Sequence, residues 1–255
     1  MAEAVEVIRA DVLRGVAHGF LSRRGGISTG AIWGLNAGFG AGDDPQAVAE
    51  NRSRAAHAVL PGARLVSVHQ VHSPDCVMVR KPWSDAHRPA ADALVTATSG
   101  ILLGIVTADC APVLLADRET GVIAAAHAGW KGAIGGVTDR TVAAMEALGA
   151  RRERIAAAIG PCIGQASYEV DEDFRQRFLQ DASANGHFFC PGRVGHWHFD
   201  LAGYVSARLR GAGINHVQSL ALDTYSAPDR FFSFRRATHQ NQPNYGRQIS
   251  LIGLA

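Results

Sequence analysis

The chain has 255 residues, 47% of them apolar, and a formal charge of +2. That apolar share with so little net charge excludes a disordered chain, and 28 glycines with 10 prolines are too few for collagen. The near-neutral balance also argues against a nucleic-acid-binding or membrane-surface protein, which would carry a clustered basic excess.

From the N-terminus, residues 1–20 carry acids and two arginines where a secretory signal needs a long apolar core. The predicted strands are residues 16–21, 65–70, 76–80, 93–96, 101–107, 112–117, 122–127 and 155–159, each apolar and ended by Gly, Pro, Asp or His. Several are apolar on successive residues, which suits strands covered on both faces. The most apolar stretch, from Ile101 to Leu115, is interrupted by Asp109 and Pro112 and is too short to span a bilayer. Helices fall between the strands. Asp44-Pro45 starts one that runs to Val59, with an acid at the N-cap and proline at the first helical position. Ile134, Val137, Thr141, Met145 and Leu148 recur at helical spacing, and Gly149 supplies the stop. Asp171 caps a helix over 172–184, and Asp200 caps another over 201–210. Strands paired with three or four helices make an α/β or α+β protein. Without a repeat or linker, residues 1–255 read as a single domain. Cys76, Cys110, Cys162 and Cys190 lie far apart with no Cys-x-x-Cys pair, so they form no disulfide framework. A cytoplasmic location is expected, with the thiols free for metals or chemistry.

Three residues stand where a buried strand gives way to a loop: His72, Cys110 and His127. His57, His187, His196, His198, His216 and His239 read as surface or structural, and Cys76 as a small buried hydrophobe. Residues 117–121 read as a turn between two strands. A hairpin centred near Glu119 sets Cys110 opposite Ala128 and Ala111 opposite His127, so Cys110 and His127 meet at the open end. Two imidazoles and a thiolate suit Zn²⁺ with a fourth position open, the pattern of a catalytic site. The same donors suit copper. They are equally compatible with a buried thiol beside two structural histidines. Asp109, a carboxylate after an apolar run, is costly to bury unless paired. It reads as a group that orients a metal ligand, a general acid/base or a loop cap. Glycine-rich turns at 23–28, 129–132 and 160–164, with Arg23, Arg235, Arg236 and Arg247, suggest a phosphate or carboxylate pocket.

At Gln70-Val71-His72, Thr107-Ala108-Asp109-Cys110-Ala111-Pro112-Val113 and Ala126-His127-Ala128-Gly129-Trp130-Lys131-Gly132, the chain resembles the YfiH family. Its members are also called laccase-domain or multicopper polyphenol oxidase-like proteins and peptidoglycan editing factors. Further matches include Arg23-x-Gly25-Gly26-Ile27-Ser28, Gly34-Leu35-Asn36, Ala91-Asp92-Ala93, Phe232-Ser233-Phe234-Arg235-Arg236 and Gly246-Arg247-Gln248. The resemblance implies an α+β fold built as a four-layer α/β/β/α sandwich with mixed sheets, and zinc held by His72, Cys110 and His127. It further implies phosphorolysis of adenosine, inosine and methylthioadenosine to free base and sugar 1-phosphate, with adenosine deaminase activity. The expected catalytic residues are Asp109, Cys110 and His127. Arg23, Asn36, Gln70, Arg235 and Arg247 are the expected substrate-binding residues, and purine nucleosides and phosphate the partners of a monomer or homodimer. The alternatives are an amidase editing UDP-sugar–amino acid cell-wall precursors, acting through the same zinc water or, in a metal-free form, through Cys110 as nucleophile and His127 as base, and a copper polyphenol oxidase. The chain departs from the family in having Asp223-Thr224 where members often have Cys-Thr.

Overall fold

The structure is a computed structural model that describes residues 3–255. In chain order the elements are β1 (Val7–Ile8), β2 (Ala17–Leu21), α1 (Pro45–Val59), β3 (Arg64–Ser67), β4 (Cys76–Met78), β5 (Ala93–Thr96) and β6 (Ile101–Thr107). They continue with β7 (Ala111–Asp117), β8 (Val122–Ala128), α2 (Trp130–Ile134), α3 (Val137–Glu146), β9 (Ala156–Ile159), β10 (Glu169–Asp171) and α4 (Glu172–Asp181). The remainder is β11 (Phe189–Pro191), β12 (His196–Phe199), α5 (Leu201–Gly211), β13 (His216–Ser219), α6 (Phe234–His239) and β14 (Gln248–Gly253).

Two mixed sheets stack face to face. The first runs β1-β2-β14-β6-β3, with only β3 and β6 parallel; the second runs β13-β9-β7-β8-β5-β4, with parallel pairs at its two edges. The two-residue period of strands assigns the layers. Leu114 and Ala116 of β7, with Ile123 and Ala125 of β8, share a cluster with Leu103, Ile105, Phe20 and Ile252 of the first sheet. Their neighbours Val113, Leu115, Val122 and Ala124 point the other way and pack with Val142 and Met145 of α3 and Leu209 of α5. On the far side of the first sheet, Leu102, Ile249 and Leu251 pack with Ala55 and Val59 of α1. The result is the expected α/β/β/α sandwich, and it explains why β5 to β8 are apolar on successive residues. The sheets approach so closely at Gly160 that a Cβ there would run into the Phe20 ring. A small third sheet, β10-β12-β11, leans on α4 through Phe174, Phe178, Phe189 and Phe199. Among the described residues no helix is long and apolar enough to cross a membrane.

The caps fall where expected: Asp44, Asp171 and Asp200 accept from the amides of Gln46, Phe174 and Gly203. Three expectations are corrected. The helix predicted over 134–148 is two helices, broken where Gly136 takes a φ of 89°, a conformation open to glycine and not to a continuing helix. The helix predicted over 172–184 ends at Asp181, where Asn185 donates to the Phe178 carbonyl. The β7–β8 hairpin is shifted by one position: Ala111 pairs with Ala128, Pro112 with His127 and Asp117 with Val122. Its loop is the four residues 118–121, because Asp117 accepts from the amides of Glu119 and Thr120 and Gly121 takes a φ of 64°.

Candidate metal centre

The corrected register sets up the site. His127 lies near the end of β8, Cys110 stands just before β7, and continuing the pairing puts Cys110 across from Gly129. A Cβ on Gly129 would sit 2.9 Å from the Cys110 sulfur and 2.9 Å from His72 Cδ2, so glycine here leaves room for the thiol and the His72 ring to approach. They do converge. The donor atoms of His72, Cys110 and His127 lie within 4.8 Å of one another, Cys110 Sγ being 3.9 Å from His72 Nε2. The two imidazoles meet edge-on with centroids 4.8 Å apart. His127 is buried, Cys110 half-buried and His72 exposed, so the cluster opens to solvent on the His72 side. His72 has a φ of 62° and Asp109 one of 86°, uncommon values for non-glycine residues that concentrate backbone strain at the site.

The group that organises this cluster is Asp92, to which the sequence reading gave no role. Its fully buried carboxylate accepts from His127 Nδ1 at 2.7 Å and from the amides of Val71, His72 and Ser73 at 3.1, 3.0 and 2.6 Å. Its carbonyl accepts from the His127 amide. One aspartate thus holds both histidines, and by accepting the Nδ1–H hydrogen bond it leaves His127 Nε2 as the atom offered to the cluster. Burial alone would raise the Asp92 carboxyl; the His127 imidazole and the loop amides outweigh it and hold the group below its ordinary value. Cys110 and His127 form a coupled pair. Burial opposes both charges, but the neighbouring imidazolium draws the thiol down, while the thiolate and Asp92 draw the imidazole up.

These residues fit a metal ion of zinc type. Zn–N and Zn–S bonds of about 2.0–2.3 Å place tetrahedral ligand atoms roughly 3.3–3.6 Å apart. The present spacing therefore needs only a small inward movement, for which exposed His72 has room.

Asp109 is differently engaged. Its carboxylate accepts from Thr224 Oγ1 at 2.6 Å, Ser233 Oγ at 3.0 Å and the Arg235 amide at 2.7 Å, and its carbonyl accepts from Ile163 N. Burial pushes the Asp109 carboxyl up against the pull of those donors and of Arg236. The nearby Asp223 has its own work, accepting from the amides of Gly164 and Tyr225 and from Ser167 Oγ.

Two clefts meet at the cluster, sharing His72, Ala108, Cys110 and Phe234. The larger, about 690 Å³, is walled by Trp130, Tyr168 and Phe174 and includes Arg235, whose Nη1 donates to the Glu169 carbonyl. The smaller, about 540 Å³, contains Gln70 and Arg247. Gln70 exchanges two hydrogen bonds with the Val106 backbone, standing in for a strand neighbour. Arg23 and Asn36 line neither cleft. The Arg23 guanidinium is buried between the Trp33 and Phe232 rings and donates to the carbonyls of Ala31, Trp33 and Pro228. Asn36 is fully buried and accepts from the amides of Gly38 and Arg247. Both hold loops behind the clefts.

Residues 17–255 match the family described as multi-copper polyphenol oxidoreductase laccase. The chain is 44% identical over 256 residues to a purine nucleoside phosphorylase of Deinococcus radiodurans, covering 99% of this chain and 94% of that one. It is 42% identical over 231 residues to purine nucleoside phosphorylase ORF3 of Streptomyces griseus, covering 89% and 92%. Among solved structures, YlmD of Geobacillus stearothermophilus superposes with a TM-score of 0.88 at 28% identity, over 100% of this chain and 97% of that one. The hypothetical protein YfiH of Bacillus licheniformis does so with a TM-score of 0.84 at 27% identity, over 99% and 97%.

Proposed function

This chain belongs to the family of the multi-copper polyphenol oxidoreductase laccase description, which includes YfiH, and we propose that it is a zinc-dependent purine nucleoside phosphorylase. Its substrates in this reading are adenosine, inosine or methylthioadenosine, cleaved with phosphate to free base and sugar 1-phosphate; adenosine deamination is a second activity. The observation that carries the reading is the convergence of His72, Cys110 and His127 at the junction of two clefts. The names of relatives aligned over most of their length support the substrate class.

When bound by His72, Cys110 and His127, zinc supplies a Lewis acid with one position open to substrate or water. The chain's own residues do the rest. Asp92 fixes the His127 ring and the His72 loop. Arg235 and Arg247 offer positive charge to an anion, and Gln70 braces the cleft floor. Asp109 holds the Ser233 hydroxyl and the Arg235 amide beside the larger cleft and, with its raised pKa, is the proposed proton carrier for deamination. The same donors accept copper, and elemental analysis separates the two metals. The test is inosine with orthophosphate and the purified protein. Ribose 1-phosphate and hypoxanthine should form, be lost on chelation and return with zinc. A zinc-loaded protein that makes no ribose 1-phosphate overturns the reading.

A second reading is favoured by one observation, the chain Cys110–His127–Asp92, which has the thiol–imidazole–carboxylate order of a nucleophilic site. Here metal-free protein hydrolyses an amide in a UDP-sugar–amino acid precursor, Cys110 attacking and His127 taking its proton. Turnover of that precursor by chelated protein supports it; turnover only after zinc is restored sinks it, because a thiolate locked on zinc is not free to attack.

A further inference from the structure

The two clefts differ in charge as well as in shape. The larger has aromatic walls, and its lining acids Asp109, Glu169 and Asp171 are balanced by Lys131, Arg193 and Arg235. The smaller is lined by Arg88 and Arg247 and by no carboxylate. Within it, two buried polar atoms have no hydrogen-bond partner: Arg247 Nη1 and Thr107 Oγ1. Buried donors left unpaired are uncommon, and an unpaired guanidinium N–H is among the costlier cases. Thr107 pairs with Gln248, the residue after Arg247, so both residues stand at the same end of the β6–β14 pair and line this cleft. Arg247 is also fixed in place. It lies along Gly38 and Gly40, where a Cβ would meet its side chain at 2.9 and 3.6 Å, and its Nη2 donates to the Tyr245 hydroxyl at 3.0 Å. Among the described residues no carboxylate pairs with it, whereas Arg88 has Asp85 at 4.0 Å.

We propose that the smaller cleft is an orthophosphate subsite, formed by Arg247 and Thr107 with Arg88 at its rim, and that the larger, aromatic cleft takes the purine. The inference rests on the phosphorylase reading above and adds a division of labour to it. Phosphorolysis needs the nucleophile and the leaving base on opposite sides of the sugar carbon C1′. A ribose on the shared seam of His72, Ala108, Cys110 and Phe234 meets that requirement, with phosphate approaching from one cleft and base departing into the other. An oxygen of hydrogen phosphate forms the C1′–O bond while the C1′–N9 electron pair leaves with the purine. The proton of hydrogen phosphate ends on the departing base, which balances the reaction. The bidentate preference of guanidinium for phosphate oxygens suits Arg247 to the anion.

Steady-state kinetics with inosine and orthophosphate test this on Arg247→Gln and Thr107→Val, with orthophosphate binding followed by calorimetry on the zinc-loaded proteins. The expected result is a KM for phosphate raised roughly tenfold or more in Arg247→Gln and severalfold in Thr107→Val, with the KM for inosine moved less than about twofold. An unchanged phosphate KM in both variants, or a KM for inosine that rises as much as that for phosphate, overturns the proposal. If the native protein lacks phosphorolysis, the parent reading fails alone. The subsite then stands if native protein binds orthophosphate and Arg247→Gln does not, and falls if the native protein does not bind it.

Discussion

Replacing Asp92 by Asn removes one carboxylate oxygen and puts an NH2 group in its place, and each orientation has a distinct cost. With the NH2 facing Val71 and Ser73, two amides that donated at 3.1 and 2.6 Å lose their acceptor, at about 1–3 kcal/mol each. The loop that presents His72 then loosens. With the NH2 facing His127, Nδ1 must accept a hydrogen bond, and the ring proton moves to Nε2, the atom that faces the cluster. Loss of such a supporting partner costs about 10–100-fold in metal affinity, or about 1.4–2.7 kcal/mol. In either orientation Asp92→Asn should therefore bind zinc at least about tenfold more weakly in competition with a chelating dye, and its metal-free form should melt at lower temperature. A variant with native zinc affinity and native Tm would refute the role given to Asp92.

Three further outcomes follow from the same structure. His72→Ala should lower zinc affinity by more than the roughly 100-fold expected for a supporting group, yet change stability by no more than about 0.5 kcal/mol, because the side chain is exposed; equal losses of both would count against it. Gly160→Ala should destabilise by about 1–3 kcal/mol through collision with Phe20, as read by urea unfolding, and native stability would contradict the close sheet packing. Asp117 is buried; burial alone would raise its carboxyl, but the amides of Arg151, Thr120 and Glu119 and the Arg154 guanidinium hold it below its ordinary value. Its stabilisation is present above the unfolded value of about 3.9 and is lost as pH falls through the lower folded value. Asp117→Asn should thus be less stable at pH 7 by about 1–3 kcal/mol and show a shallower acid limb in stability against pH; an unchanged limb would refute the assignment.

How far the sequence could be read depended on how many faces an element buries. β5 and β6 stood out with their observed ends because both faces are covered and nearly every residue is apolar. β14 was missed although it sits at the centre of the first sheet: Gln248 and Ser250 interrupt its apolar pattern, and both are buried. The strands β10 to β12 were missed because runs of three or four residues, two acids around one valine in β10 and His, Trp, Cys and Pro in β11 and β12, carry no period. The one-position slip in the hairpin came from placing the turn centre on Glu119, half a residue from where Asp117 sets it by capping the loop. At the site, the three donors were legible as polar residues at the ends of apolar strands. Asp92 offered the same signal, a carboxylate between Ala91 and Ala93, and the logic applied to Asp109 would have found it. Arg23 could not be sorted from Arg247 by sequence. Both are arginines in glycine-rich loops, and only the fold shows that one donates to carbonyls while the other keeps an unpaired N–H in a cleft.

X-ray diffraction from crystals of the natively purified protein, recorded on both sides of the zinc absorption edge, addresses the metal centre itself. A single anomalous peak should appear within bonding distance of His72, Cys110 Sγ and His127 Nε2. Fully active crystals with no such peak, or with one elsewhere in the chain, would show that the three side chains converge for another reason.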